Sequence, residues 1–130
     1  MERKIIKMNR LEYLRSEYKL GKYSYDEFVF IIARDCVTTL LEINWTELQY
    51  GMSEKACAAR SVFCYLVYKY SNYSFRQIAE KLNKSKASIH ALYKKMQFYV
   101  ETPNIYREYT QVVEYTVSMI DRHIVSQKLI

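Results

Sequence analysis

Between Lys84 and Lys95 the chain carries four lysines, two serines, two alanines and a histidine, and this mixture suits one kind of chemistry. None of these residues forms a nucleophile–base pair or a metal set. Together they suit non-covalent recognition of a polyanion. Lys86 can donate to guanine O6 or N7, Ser88 to a base or a phosphate, and Ala87 can touch a thymine methyl; His90 is a further base-contact candidate. Lys84, Lys94, Lys95 and Arg76 suit phosphate contacts, which position without specifying sequence. Ser85 stands where a helix would start, leaving amides free for a phosphate that the helix dipole also favours. About five such contacts predict a log–log salt slope of about −4. Each residue also has a plainer reading. Lys94 and Lys95 fit a solvated helix end, His90 an ordinary surface histidine, and Ala87 with Ala91 a place where another helix packs.

These residues need a rigid mount, and the stretch Phe75–Lys94 (FRQIAEKLNKSKASIHALYK) reads as one. Counted from Phe75, apolar residues fall at the fourth, eighth, fifteenth and eighteenth places: Ile78, Leu82, Ile89 and Leu92. The small Ala79 sits where two helices would approach closely. Asn83 sits where the chain must turn, and asparagine tolerates a left-handed conformation better than most residues. Ser74 with Gln77 predicts a capping box, and Ser85 predicts the cap of a second helix. The expectation is a helix-turn-helix whose second helix enters the DNA major groove.

Charge supports this placement. The net +6 is unevenly spread: residues 74–95 carry +5 and residues 1–22 carry +4, while 23–73 carry −2 and 96–130 carry −1. A basic motif on a nearly neutral scaffold is the electrostatic footprint of nucleic-acid binding. At 130 residues, half of them apolar, with two glycines and one proline, the chain is expected to form one packed domain. The longest apolar run, Phe28–Ala33, is too short to span a bilayer, and no secretory signal is expected. Cys36, Cys57 and Cys64 lie in apolar helical contexts, so reduced thiols of a cytoplasmic protein are expected. No CxxC or HxxxH spacing occurs, so neither a metal nor a cofactor is expected.

The remaining elements all read as helices. Asn9 and Glu12 predict a capping box for a helix to Lys19, with Gly21 as its stop and Leu11, Leu14 and Tyr18 as its stripe; residues 1–23 are read as a basic helix or arm and 24–130 as the DNA-binding domain. Ser24 with Glu27 opens a helix to about Glu42, with Val29, Ile32, Ala33, Cys36, Val37, Leu40 and Leu41 inward. Thr46–Leu48 reads as a short turn beside Trp45, a core anchor. Ser53 caps a helix to about Tyr70, its inner stripe Ala59, Val62, Phe63, Leu66, Val67 and Tyr70. The second motif helix continues to about Glu101 through Met96 and Val100, with Phe98 on its opposite face. Thr102 and Pro103 are read as cap and first residue of a last helix, with Tyr109, Val112, Val113, Thr116, Val117, Ile120 and Ile124 inward. The fold expected is all-α, about six helices, with no strand.

From about Val37 to Tyr115 the stretches CVTTLLEINWTELQYG, ARSVFCYLVYKYSNYSFRQIAEKL, SIHALYKKM and ETPNIYREY resemble the C-terminal DNA-binding domain of the bacterial chromosomal replication initiator DnaA. That domain is a Trp-repressor-like helical fold. Where the family carries its turn-and-helix signature Gly-Gly-Arg-Asp-His-Thr-Thr-Val, this chain is one residue shorter. Lys84 stands on Arg, Ser85 on Asp, Lys86 on His, Ala87 and Ser88 on the two Thr, and Ile89 on Val. In the family's basic loop region Arg60 matches a family arginine, so the resemblance implies a DNA contact there. Any box read is expected to differ from the initiator's. No GxxxxGK[ST] loop is present, so a recognition domain without the family's ATPase module or its nucleotide is expected, acting in replication or transcription.

Two other classes compete. A protein-interaction module would suit the fourteen tyrosines, the off-face Phe98 and a basic loop region that holds Glu54, Lys55 and Ala58; for a homodimer, common among helix-turn-helix proteins, the N-terminal and last helices are the candidate faces. An enzyme is not expected, because Cys64 and His90 lie on different helices with no motif around either.

Overall fold

The computed structural model describes residues 23–102 and 104–128. Among these the chain is all-helical: α1 Tyr25–Leu40, α2 Trp45–Tyr50, α3 Glu54–Tyr70, α4 Phe75–Leu82, α5 Lys86–Glu101 and α6 Arg107–Lys128. The helix expected over Asn9–Lys19, Pro103 and the side chain of Ile124 lie outside the described residues.

Most helix starts are set locally, by a short polar side chain that takes up an otherwise orphaned amide. Ser24 Oγ accepts from Glu27 N at 3.1 Å, Asn44 Oδ1 from Glu47 N at 2.8 Å, and Ser53 Oγ from Ala56 N at 3.0 Å. Each such cap stabilises its helix by about 1 kcal/mol.

Two boundaries differ from the expectation. Helix α1 ends at Leu40, two residues early. Glu42 turns left-handed at φ 53°, while Glu42 N donates to Thr39 O and Ile43 N to Thr38 O. This closing turn carries Ile43 into the core and sets the Trp45 ring 5.9 Å from Phe30 and 5.2 Å from Phe63. Trp45 is thus the packed anchor its surroundings implied. Helix α6 begins at Arg107, not at Thr102–Pro103. Thr102 closes α5 instead, with its N–H and its Oγ1 both donating to Phe98 O at 3.1 and 2.9 Å. The first turn of α6 then forms around Tyr106 O, which accepts from Tyr109 N and Thr110 N.

The core is organised around α3. From Ala56 to Val67 every residue except Cys57 is buried, where one inner stripe was expected. All five other helices pack on α3, so no side of this segment is left for water. A second cluster joins α1 to α6 through Phe28, Val29, Ile32, Cys36, Met119 and Ile120. Asp26 Oδ1 accepts from Asn72 N at 2.7 Å, tying the first turn of α1 to the α3–α4 link.

Candidate nucleic-acid interface

The α4–turn–α5 unit forms as its sequence implied. Ser74 Oγ accepts from Gln77 N while Gln77 Oε1 accepts from Ser74 N at 2.8 Å, a complete capping box. Ile78, Ala79 and Leu82 turn inward and are buried. Asn83 then adopts φ 56°, ψ 49°, with Lys84 N donating to Ala79 O at 2.9 Å and Asn83 N to Glu80 O at 3.3 Å. This pair of bonds is a Schellman turn built on asparagine where glycine is commonest. It redirects the chain so that α5 packs on both α4 and α3.

Helix α5 opens at Ser85, whose Oγ accepts from Ser88 N at 3.1 Å and donates to Ser88 Oγ at 2.9 Å. The Ser85 hydroxyl is therefore engaged in the cap, and the anion-facing donors left in this turn are the amides of Lys86 and Ala87. The Ser88 hydroxyl keeps its own proton to give. Ile89 and Met96 anchor the inner side of α5, while Lys86, Ala87, Ser88, His90, Ala91, Lys94 and Lys95 are all exposed. Lys86, His90 and Lys94 recur every four residues and so line one strip of that outer side.

The neighbours of these residues shape them. His90 meets the Phe75 ring edge-on at 5.1 Å, and Phe75 itself stacks on Tyr68 at 3.8 Å, so one edge of the imidazole rests on a packed aromatic group. Lys84 is half-buried, with its ammonium 5.5 Å over the Tyr50 ring, and Lys95 lies 5.9 Å over Tyr99. Arg76 is exposed on the first turn of α4. Lys81 also belongs to the basic stretch but packs over Phe30 and Tyr73 at 5.3 and 4.9 Å.

Arg60 is not brought to this surface. It is 7 % exposed within α3; its Nε donates to Leu48 O at 2.8 Å and its Nη2 to Gly51 O at 2.7 Å. The short α2 leaves carbonyls without intrahelical partners at its C-terminal end, and the guanidinium takes them up there, where a cation also suits the helix dipole. The DNA contact that the resemblance implied for Arg60 is therefore replaced by an internal clamp on the α2–α3 loop. Tyr50, at the edge of that loop and half exposed against Lys84, was missed from sequence. No local signal marks it, because its partner is 34 residues away in the chain.

Cys64 is fully buried, and desolvation pushes its thiol up to about 12; Cys36 is raised to the same value, mainly by burial. Among the described residues no group of three His, Cys, Asp or Glu side chains is placed to hold a metal ion. Among the described residues no helix is long and apolar enough to cross a membrane. No protein-family model matches the chain, and neither a curated protein nor a solved structure matches it.

Proposed function

We propose that this chain binds double-stranded DNA through the α4–turn–α5 unit, with the first turns of α5 in the major groove. The observation that carries the reading is the uncovered outer side of α5. Five consecutive outer positions, Lys86, Ala87, Ser88, His90 and Ala91, stand free on a helix whose inner side is locked by Ile89. Small side chains at Ala87 and Ala91 let the helix approach base edges closely, and Lys86 and Ser88 supply donors at the same depth. Arg76, Lys84, Lys94 and Lys95 flank them as phosphate contacts. In this reading the protein is a cytoplasmic recognition domain, Trp-repressor-like in kind and similar in sequence pattern to the initiator's C-terminal domain. It serves replication or transcription as an accessory or regulator.

Binding to random-sequence duplex DNA across a salt series tests this directly. The expected log–log slope is about −4, falling by about two in Lys84→Ala/Lys86→Ala. Absence of binding at low salt would sink the proposal.

A second reading, a protein-interaction module on the same scaffold, is favoured by one feature: Phe98, Ile105 and Tyr106 are exposed together at the α5–α6 junction. Lys86→Glu separates the two readings, because it abolishes DNA retention and leaves a complex made through the junction intact.

A further inference from the structure

Lys84, in the turn that leads into α5, is held in place before any ligand arrives. Its side chain is half-buried, and its ammonium lies 5.5 Å over the ring of Tyr50. The ring that holds it is itself fixed. Tyr50 is the last residue of α2, and the backbone on both sides of it is tied down. Gly51 N donates to Glu47 O at 2.7 Å, while Arg60 takes up Leu48 O and Gly51 O at 2.8 and 2.7 Å. The loop has little room to shift, since a Cβ at Gly51 would meet Ala56 Cβ at 2.7 Å. Tyr50 is still 50 % exposed, so its ring stands at the surface beside Lys84.

An aromatic partner differs from an acidic one in what it leaves behind. A carboxylate would neutralise the ammonium and compete with a phosphate for it. A ring face attracts the cation through its quadrupole and leaves the charge and the outward N–H donors for another anion. Among the described residues no carboxylate forms an ion pair with Lys84. Glu80 is the single acid of residues 74–95. The ammonium is also felt by Cys64 of α3, whose thiol is raised by burial and lowered in part by Arg60 and Lys84. Lys84 thus lies back across the α2–α3 loop with no acid paired to it. A free lysine gives up rotamer freedom when it settles on a phosphate, and that loss weakens binding. A lysine already held in one arrangement has given it up on folding.

We infer that Tyr50 is a positioning residue for the DNA contact of Lys84: its ring holds the ammonium ready for a phosphate, and its hydroxyl takes no part. The inference rests on the DNA reading, which makes Lys84 a phosphate contact.

Binding of random-sequence duplex DNA by the whole protein tests it, with Tyr50→Phe, Tyr50→Leu and Tyr50→Ala each made in the wild type and in Lys84→Ala. Phenylalanine keeps the ring face and removes the hydroxyl; leucine keeps bulk and removes the face. Tyr50→Leu and Tyr50→Ala are each expected to lose about two- to five-fold in affinity at the wild-type salt slope, and Tyr50→Phe to restore it. In Lys84→Ala none of the three should have a further effect. A second readout needs no DNA. The ε-methylene protons of Lys84, assigned by their loss in Lys84→Ala, should be shifted upfield by the ring current and return to the ordinary lysine position in Tyr50→Leu. A wild type that binds no DNA sinks the DNA reading and this inference with it. A wild type that binds while Tyr50→Leu and Tyr50→Ala match it sinks the inference alone. So does a Tyr50→Phe as weak as Tyr50→Ala, or a loss that persists without Lys84, since either would mean that Tyr50 meets DNA directly. Unshifted Lys84 protons in the wild type overturn it as well.

Discussion

Replacing Arg60 with methionine separates the two roles that sequence and structure assign to it. Methionine keeps an unbranched apolar stem in the buried site and removes the donors that hold Leu48 O and Gly51 O at 2.8 and 2.7 Å. Leu48 is fully buried, so its carbonyl would lose a charged partner with no water to replace it, a cost of about 2–3 kcal/mol. Gly51 is half-buried and its carbonyl can be rehydrated, adding about 1 kcal/mol. The sum, about 3–4 kcal/mol, corresponds to a melting temperature lower by about 10 °C for a chain of this size. Circular dichroism melts and urea titrations would read both quantities. DNA affinity, measured where the variant is fully folded, should keep the wild-type salt slope. A melt within about 2 °C of wild type, or a slope reduced by about one, would refute the clamp and restore Arg60 as a phosphate contact.

Asn83→Ala should cost about 1–2 kcal/mol, because φ 56° is unfavourable for alanine, while Asn83→Gly should be near neutral; urea midpoints decide. Ile89→Ala leaves a cavity under the presented face of α5 and should lower stability by about 2–5 kcal/mol with DNA binding weakened in proportion to unfolding. Burial holds the Cys36 and Cys64 thiols neutral up to about 12 in the folded chain, whereas in the unfolded chain they ionise near 9.0. The unfolded state therefore binds fewer protons between those values, so stability should be level below about pH 9 and fall as pH rises toward 12. An unchanged urea midpoint between pH 8 and pH 10.5 would contradict this. For the same reason a thiol reagent at pH 8 should modify the half-buried Cys57 alone in the native protein and all three cysteines once it is unfolded.

The local signals in the sequence were sufficient for most of the helices and for the α4–turn–α5 unit. Ser24, Ser53, Ser74 with Gln77, and Ser85 each find their partner three residues away, and Asn83 makes its turn with Ala79 and Glu80. A pattern read along the chain captures such contacts because one helical turn brings those positions together whatever the rest of the fold does. The inward positions of α5 followed from the same periodicity, and so did the exposure of Lys86, Ala87, Ser88 and His90 on its other side. Where local signals competed, sequence reading failed. Thr102 suited the start of α6, but its hydroxyl donates to Phe98 O, four residues back, and so closes α5 instead.

Tertiary structure alone decided the surroundings of those helices. Arg60 reaches carbonyls 9 and 12 residues away, Lys84 meets Tyr50, and Asp26 binds an amide 46 residues along the chain. The all-round burial of α3 appears only when five helices close on it. None of these pairings has a period or a spacing, since each depends on how whole helices pack, and helix packing is fixed by the shape of the complete core. Sequence thus determined which residues α5 presents, while the packed core determined that Arg60 serves the scaffold and that Phe98, Ile105 and Tyr106 are left to the solvent.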